Sequence, residues 1–244
     1  MGITIFFPVY KDENTIEIVT EKSIAVLQQL TDDYEVLIID DCSPDRSGEI
    51  ADELVQKYPD IVRVIHHETN KGYGSSVREG LNNARHDWVC FTDGDNEYDV
   101  NDLLKMYSLR DHYNLMITFR YIKLYSGTRQ FISLVYNKVV KFLFKTNFRD
   151  ISTGLRLIYK PILKDIPLES TSPFIGAEIA IKTMLRGHPV GEMGIQTFPR
   201  EFGKGSSTTP RNIYATIKEM LVIRQKIFST EYGLPQKLDR EKKK

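Results

Sequence analysis

The sequence predicts an α/β protein built on a doubly wound, mostly parallel sheet with helices on both faces, followed by a C-terminal amphipathic helix. Two observations carry this. Four strand–helix units follow one another in the first hundred residues, the pattern of a parallel sheet. The segment Tyr34-Glu35-Val36-Leu37-Ile38-Ile39 is nearly continuous in apolar character, as in strands covered on both faces.

The elements read in order as follows. Ile3 to Val9 is a β-rich run, and a helical spacing of Ile16, Val19, Ile24, Leu27 and Leu30 follows it. Tyr34 to Ile39 is a second strand, with a helix through Ile50, Leu54 and Val55 behind it. Ile61 to Ile65 is a third strand, and a helix is expected from about Ser75 to Ala84. Trp88-Val89-Cys90-Phe91-Thr92 is a fourth, ending in Asp93-Gly94-Asp95-Asn96-Glu97. A main domain over 1–210 and an amphipathic helix with a basic tail over 211–244 complete the expected organisation.

Composition narrows the function. The 244 residues balance 33 Lys+Arg against 33 Asp+Glu, so bulk charge gives no reason to expect a nucleic-acid partner. Two cysteines, Cys42 and Cys90, supply neither a disulfide framework nor zinc spacing and favour a reducing, cytoplasmic setting. No leader pattern is expected at the N-terminus, and no uncharged apolar run approaches the ~20 residues that span a bilayer.

Three carboxylates within five residues at Asp93, Asp95 and Glu97 repel one another unless a cation sits among them. A hard divalent ion with oxygen ligands is one reading, and a solvated acidic turn is the other. Polar, Gly- or Asp-rich segments follow all four strands, and ligands of open α/β sheets bind at that edge. Asp12, Asp40, Asp41, Gly72 and Asp93 are therefore expected to meet in one crevice. Gly72-Tyr73-Gly74 lacks the third glycine of a dinucleotide fingerprint and does not follow the first strand, which discounts a nicotinamide dehydrogenase.

Pro8-Val9-Tyr10-Lys11-Asp12-Glu13, Ile39-Asp40-Asp41-Cys42-Ser43-Pro44-Asp45, Asn70-Lys71-Gly72-Tyr73-Gly74 and Asp93-Gly94-Asp95-Asn96-Glu97 resemble, in order and spacing, P-x-Y-N-E, V-D-D-G-S-x-D, N-x-G-x-G and D-A-D-x-Q of the family 2 glycosyltransferases, with their GT-A fold. Cys42 stands in a glycine place and Glu97 in a glutamine place. Within that family the chain looks most like the polyprenyl-phosphate enzymes of dolichyl-phosphate-mannose-synthase type. Arg120-Tyr121 is similar to their S-R-Y segment, with Phe119 replacing the serine, and Asp150 to Arg156 to their D-x-x-S-G-F-R. Phe198 to Ser206 resembles R-x-x-G-x-S with an extra Gly205.

The resemblance implies a metal-dependent, inverting transfer of a hexose from a nucleotide-diphosphate sugar donor. It implies a donor-binding set of Pro8, Tyr10, Asp12, Asp40, Asp41, Gly72 and Asp93, with Asp93 nearest the nucleoside. Mg²⁺ or Mn²⁺ would sit on Asp95 and Glu97, with Asp93 reaching it directly or through water. The implied acceptor is polyprenyl phosphate. A phosphate monoester is largely dianionic at pH 7 and needs positive charge rather than a general base. Arg120, Arg129, Arg200 and Lys204 are the candidates for holding acceptor and donor phosphates, because arginine's planar fork suits phosphate oxygens and Gly203 and Gly205 lead one to expect a loop at Arg200 and Lys204 that can close over the donor. Asp150 and Glu178 either orient these arginines or act as a base.

Phe131 to Lys145 combines large apolar groups with a stripe of Lys138, Lys141 and Lys145, and Arg211 to Phe228 repeats the mixture. Both fit interfacial helices, a buried helix being the competing reading for the first. A peripheral position at the cytoplasmic face of a membrane is expected, with a membrane partner subunit or homo-oligomer left open. Two other functions compete: transfer to a glycan or protein hydroxyl, which needs a base, and a non-catalytic nucleotide-sugar-binding subunit.

Overall fold

The computed structural model describes residues 1–122, 124, 127–200, 202 and 209–229. Among these, seven strands form one sheet: β1 (Ile3–Val9), β2 (Tyr34–Asp40), β3 (Val62–His66), β4 (Trp88–Phe91), β5 (Leu115–Arg120), β6 (Arg156–Tyr159) and β7 (Val190–Ile195). Helices α1 (Ile16–Leu27), α2 (Ser47–Lys57), α3 (Tyr73–Asn83), α4 (Asp102–Ser108), α5 (Gly127–Phe144), α6 (Ile175–Leu185) and α7 (Pro210–Phe228) connect and follow them.

The strand order is β3-β2-β1-β4-β6-β5-β7. The chain runs outward from β1 through β2 to β3, then returns to place β4 on the other side of β1. A crevice opens at such a reversal, at the carboxyl ends of the strands. Strand β6 is antiparallel to both β4 and β5, whereas β7 is parallel to β5. That one reversal brings the segment entering β6 to the edge where β4 and β5 end, with Phe91 opposite Arg156.

Each central strand is buried on both faces because alternate side chains enter two cores. Phe6, Leu37, Ile39, Val89 and Phe91 enter one with Ile175, Ile179 and Met220. Ile5, Phe7, Val36, Ile38 and Cys90 enter the other with Ile16, Val19 and Leu54. This is the physical basis of the unbroken apolar runs in β1 and β2. Helix α7 buries Met220, Ile223 and Ile227 in the first of these cores.

Three of the four non-glycine residues with left-handed backbone, among the described residues, sit in the strand-end loops: Lys11 at φ 64°, Cys42 at φ 57° and Asn96 at φ 58°. Such conformations are unfavourable for residues bearing a Cβ and collect at functional loops. They account for Cys42 occupying a position that resembles a glycine place.

Candidate active site

The acidic cluster is assembled from the ends of β1 and β4. Asp12 follows β1, and its Oδ2 accepts the Tyr10 amide at 3.1 Å, while its own amide donates to Ser47 Oγ at 3.0 Å. Burial pushes its carboxyl up to about 7, with Asp95 adding to the rise. Asp93 follows β4, and Tyr73 donates its hydroxyl to Asp93 Oδ1 at 2.8 Å. Burial raises Asp93 to about 6 against that hydrogen bond, and the Glu97 charge raises it further. Burial and the neighbouring Asp93 and Glu97 raise Asp95 to about 7. Three carboxyls held this far above their ordinary range mark excess negative charge in a poorly hydrated place.

The cation among them is Arg200. Its Nε donates to Glu97 Oε1 at 2.7 Å, and its Nη2 donates to Asp95 Oδ2. It arrives there because the chain after β7 runs beside residues 97 and 98. The Phe198 amide donates to the Glu97 carbonyl at 2.9 Å, and Tyr98 bridges Thr197. Asp95 Oδ1 accepts the Glu97 amide at 3.0 Å, which fixes the turn. Among the described residues, no three acidic or histidine side chains converge as a ready-made metal cage. Asp93 faces Tyr73 while Asp95 and Glu97 face Arg200, so the expected three-carboxylate set is split between two partners. The donor chemistry nonetheless suits a hard cation, since carboxylate oxygens line the place and a guanidinium already stands in for the charge.

Asp40 and Asp41, expected to meet the donor, serve the loops that shape the crevice. Asp40 Oδ1 accepts the Ser43 amide at 3.0 Å, and its Oδ2 lies 2.9 Å from His66 Nδ1. Asp41 accepts the Lys71 amide at 2.7 Å and the Gly72 amide at 2.9 Å, and contacts buried His67 at 2.7 Å. Gly72 has φ 88°, a value that favours glycine. At Gly74 a Cβ would lie 2.5 Å from the Thr171 carbonyl carbon, so a glycine is what admits that segment against the start of α3. Pro8 is buried within β1, paired with Ile39, and Tyr10 is exposed beside it. A cavity of about 270 Å³ opens there between Lys11, Asp12, Asn14, Asp45 and Phe202.

A second cluster lies at the end of β5. Arg120 is buried and reaches Asp150 Oδ2 through Nε at 2.9 Å and Nη2 at 2.8 Å; Nη2 also donates to Ser152 Oγ at 2.7 Å. Asp150 accepts in addition from Ser152 and from Asn137 Nδ2. Arg129, Ser133 and Asn137 lie at i, i+4 and i+8 on α5, one face of the helix. Ser133 Oγ and Asn137 Nδ2 both reach this cluster, which places Arg129 on the same side one turn earlier. Buried Arg156 holds the loop in shape by donating to the Ile151 and Thr153 carbonyls at 2.7 and 3.2 Å. The loop meets the acidic cluster at Gly154, where a Cβ would lie 2.4 Å from Asp93 Oδ2.

Glu178, one of the two carboxylates considered as a base, is fully buried and accepts the Glu169 and Ser170 amides beside Lys182. Lys204, with Gly203, Gly205 and Ser206, lies outside the described residues. Sequence reasoning missed Tyr73, Ser152 and Asn137 as partners of the cluster residues. The only local signal for Tyr73 was its place between two glycines.

Helices α5 and α7 both expose apolar side chains. Phe131, Leu134, Val135, Val139 and Phe142 stand out from α5, with Phe142 84% exposed, and Lys138, Lys141 and Lys145 are exposed beside them. Tyr214, Ile217, Leu221 and Phe228 do so on α7, whose Arg224 donates to the Leu143 carbonyl at 3.3 Å. No helix among the described residues is long and apolar enough to cross a membrane.

The chain is similar to a dolichol-phosphate mannosyltransferase of Pyrococcus furiosus, 32% identical over 124 residues, covering 50% of this chain and 34% of that protein. It is also similar to a polyprenol monophosphomannose synthase of Mycolicibacterium smegmatis, 24% identical over 256 residues, covering 97% of this chain and 88% of that protein. In fold it matches glucosyl-3-phosphoglycerate synthase from Mycobacterium tuberculosis in complex with phosphoglyceric acid, with TM-score 0.69 at 17% identity over 94% of this chain and 81% of that one. The same enzyme in complex with Mn²⁺ and uridine diphosphate matches with TM-score 0.66 at 17% identity, over 97% of this chain and 80% of that one. The family model of Glycosyl transferase family 2 matches residues 4–166, and the chain belongs to that family.

Proposed function

We propose that this protein transfers a hexose from a nucleotide-diphosphate sugar to a polyprenyl phosphate, with inversion, at the cytoplasmic face of a membrane. The observation that carries the reading is the cluster of buried Asp95 with half-buried Asp12 and Asp93, whose carboxyls are all raised, beside a second cluster built on Arg120. One cluster calls for a cation and the other suits an anion. A dianionic diphosphate bridged by a divalent ion and a phosphate acceptor answer both needs.

The nucleoside enters the cavity lined by Lys11, Asp12, Asn14, Pro44, Asp45 and Phe202. Mg²⁺ or Mn²⁺ held by Asp95 and Glu97, with Asp93 behind, would neutralise the charge that grows on the leaving diphosphate. Arg200, released from those carboxylates, would turn to the diphosphate, and Lys204 would join it. Arg120, oriented by Asp150, and Arg129 hold the acceptor phosphate, whose oxygen attacks the anomeric carbon from the side opposite the leaving group. The engagement of Asp150 with Arg120, and of Glu178 with backbone amides, supports a phosphate acceptor over a hydroxyl, because neither carboxylate is set up as a base.

The apolar faces of α5 and α7 with their lysine and arginine rim support peripheral attachment to an anionic bilayer. The names of the two relatives support the lipid-phosphate acceptor. The test is a panel of nucleotide sugars incubated with dolichyl or undecaprenyl phosphate and Mn²⁺ or Mg²⁺, scored for released nucleoside diphosphate and for lipid-linked sugar. Nucleotide release that does not depend on the lipid phosphate overturns the acceptor assignment.

A further inference from the structure

Four successive backbone amides, from Glu169 to Ser172, donate in pairs to two glutamates, one on α6 and one on α7. Glu178 of α6 takes the amides of Glu169 at 3.0 Å and Ser170 at 2.8 Å. Glu219 of α7 takes those of Thr171 at 3.0 Å and Ser172 at 3.1 Å, together with their hydroxyls at 2.8 and 2.5 Å. Four donors on one half-buried carboxylate is a complete hydrogen-bond set. Burial works against its charge, but the Ser172 and Thr171 hydrogen bonds outweigh that and keep the Glu219 carboxyl below its usual range.

The segment so fixed is the one that leans on the start of α3. The Thr171 carbonyl accepts the Gly74 amide at 2.9 Å, and Gly74 leaves no room between them. On the other side of that turn, Tyr73 holds Asp93 and the Gly72 amide holds Asp41. A carboxylate on α7 is thus linked, through Thr171 and Ser172, to Tyr73 and the 72–74 turn. Helix α7 is anchored in the core independently by Met220, Ile223 and Ile227.

We infer that Glu219 is a positioning residue for the donor site, acting through Thr171 and Ser172 on the Gly72–Gly74 turn and so on Asp93. It touches no substrate, and it rests on the reading of the acidic cluster as the donor site. Replacement would let the segment shift, and displacements near an ångström at a donor wall weaken productive binding strongly.

The test uses Glu219→Gln, which keeps the shape but turns an amide NH₂ toward donors, and the double variant Thr171→Val with Ser172→Ala, which leaves α7 untouched. Binding of UDP and GDP in the presence of Mn²⁺ is titrated calorimetrically, and amide hydrogen exchange is followed along the chain. The expected result for both variants is about tenfold weaker binding of whichever nucleotide the wild type takes, with faster exchange at residues 72–74. The KM for the lipid phosphate stays unchanged. A role confined to anchoring α7 would instead speed exchange over 210–228 and leave nucleotide affinity as it was, and that result overturns the inference. Wild-type protein that binds neither nucleotide overturns the reading of the donor site, and the exchange at 72–74 then decides the Glu219 contact alone.

Discussion

Arg200 donates to Glu97 Oε1 at 2.7 Å across 103 residues of sequence, and its other branch rests on Asp95. A guanidinium thus neutralises the carboxylate oxygens proposed here to hold a divalent ion, and on that reading the two cations would compete. Burial opposes the charge on Arg200, yet Asp95 and Glu97 raise its pKa above the ordinary arginine value.

Arg200→Ala should therefore bind Mn²⁺ more tightly, by about tenfold, because the carboxylates lose their built-in counter-ion. The same variant should turn over about 10²-fold more slowly once the diphosphate lacks its arginine. Electron paramagnetic resonance of free Mn²⁺ reads the first effect and steady-state kinetics the second. Weaker Mn²⁺ binding in the variant would mean that Arg200 assists the ion rather than competing with it.

The raised carboxyls give a pH signature. Asp12 and Asp95 stand at about 7 and Asp93 at about 6, all above their unfolded values. The folded protein then binds more protons than the unfolded chain between about pH 4 and pH 7, so these groups favour folding at low pH and lose that contribution as pH rises to about 7. In EDTA, thermal melts should show Asp95→Asn with a shallower loss of stability than wild type over that window. Added Mn²⁺ should bind increasingly well up to about pH 7, because it displaces protons.

Asp150→Asn should cost about 3–5 kcal/mol, because it removes a buried carboxylate paired with the buried Arg120 guanidinium. Urea unfolding measures this. Replacing exposed Lys141 by Gln, near the C-terminal end of α5, provides the control and should change stability little.

The double variant Phe131→Glu with Phe142→Glu alters two side chains that are 67% and 84% exposed, so the melting temperature should hold. Sedimentation with anionic vesicles should fall by at least about tenfold, since each change removes buried apolar area at the interface and adds a repelled charge. Unchanged sedimentation would move the lipid contact away from α5.

The sequence by itself determined the half of the protein whose signals are local. Apolar runs and helical spacing located β1 to β4 and α1 to α3 within a few residues, because a strand buried on both faces must be apolar throughout. The acidic and glycine-rich ends of those strands could be assigned to one edge because parallel strands point the same way. What only the tertiary structure decided was which charge meets which. Tyr73 with Asp93, Arg120 with Asp150 and Arg200 with Glu97 are separated by 20, 30 and 103 residues, and no periodicity encodes such pairs. The antiparallel turn of β6 brings the Asp150 loop to the crevice, and the parallel β7 delivers Arg200 beside it. Strand direction in a sheet is settled by packing and connection, not by the residues of the strand alone. Asp93, Asp95 and Glu97 are adjacent in sequence for a local reason, but their sharing between a tyrosine and an arginine is a property of the folded chain.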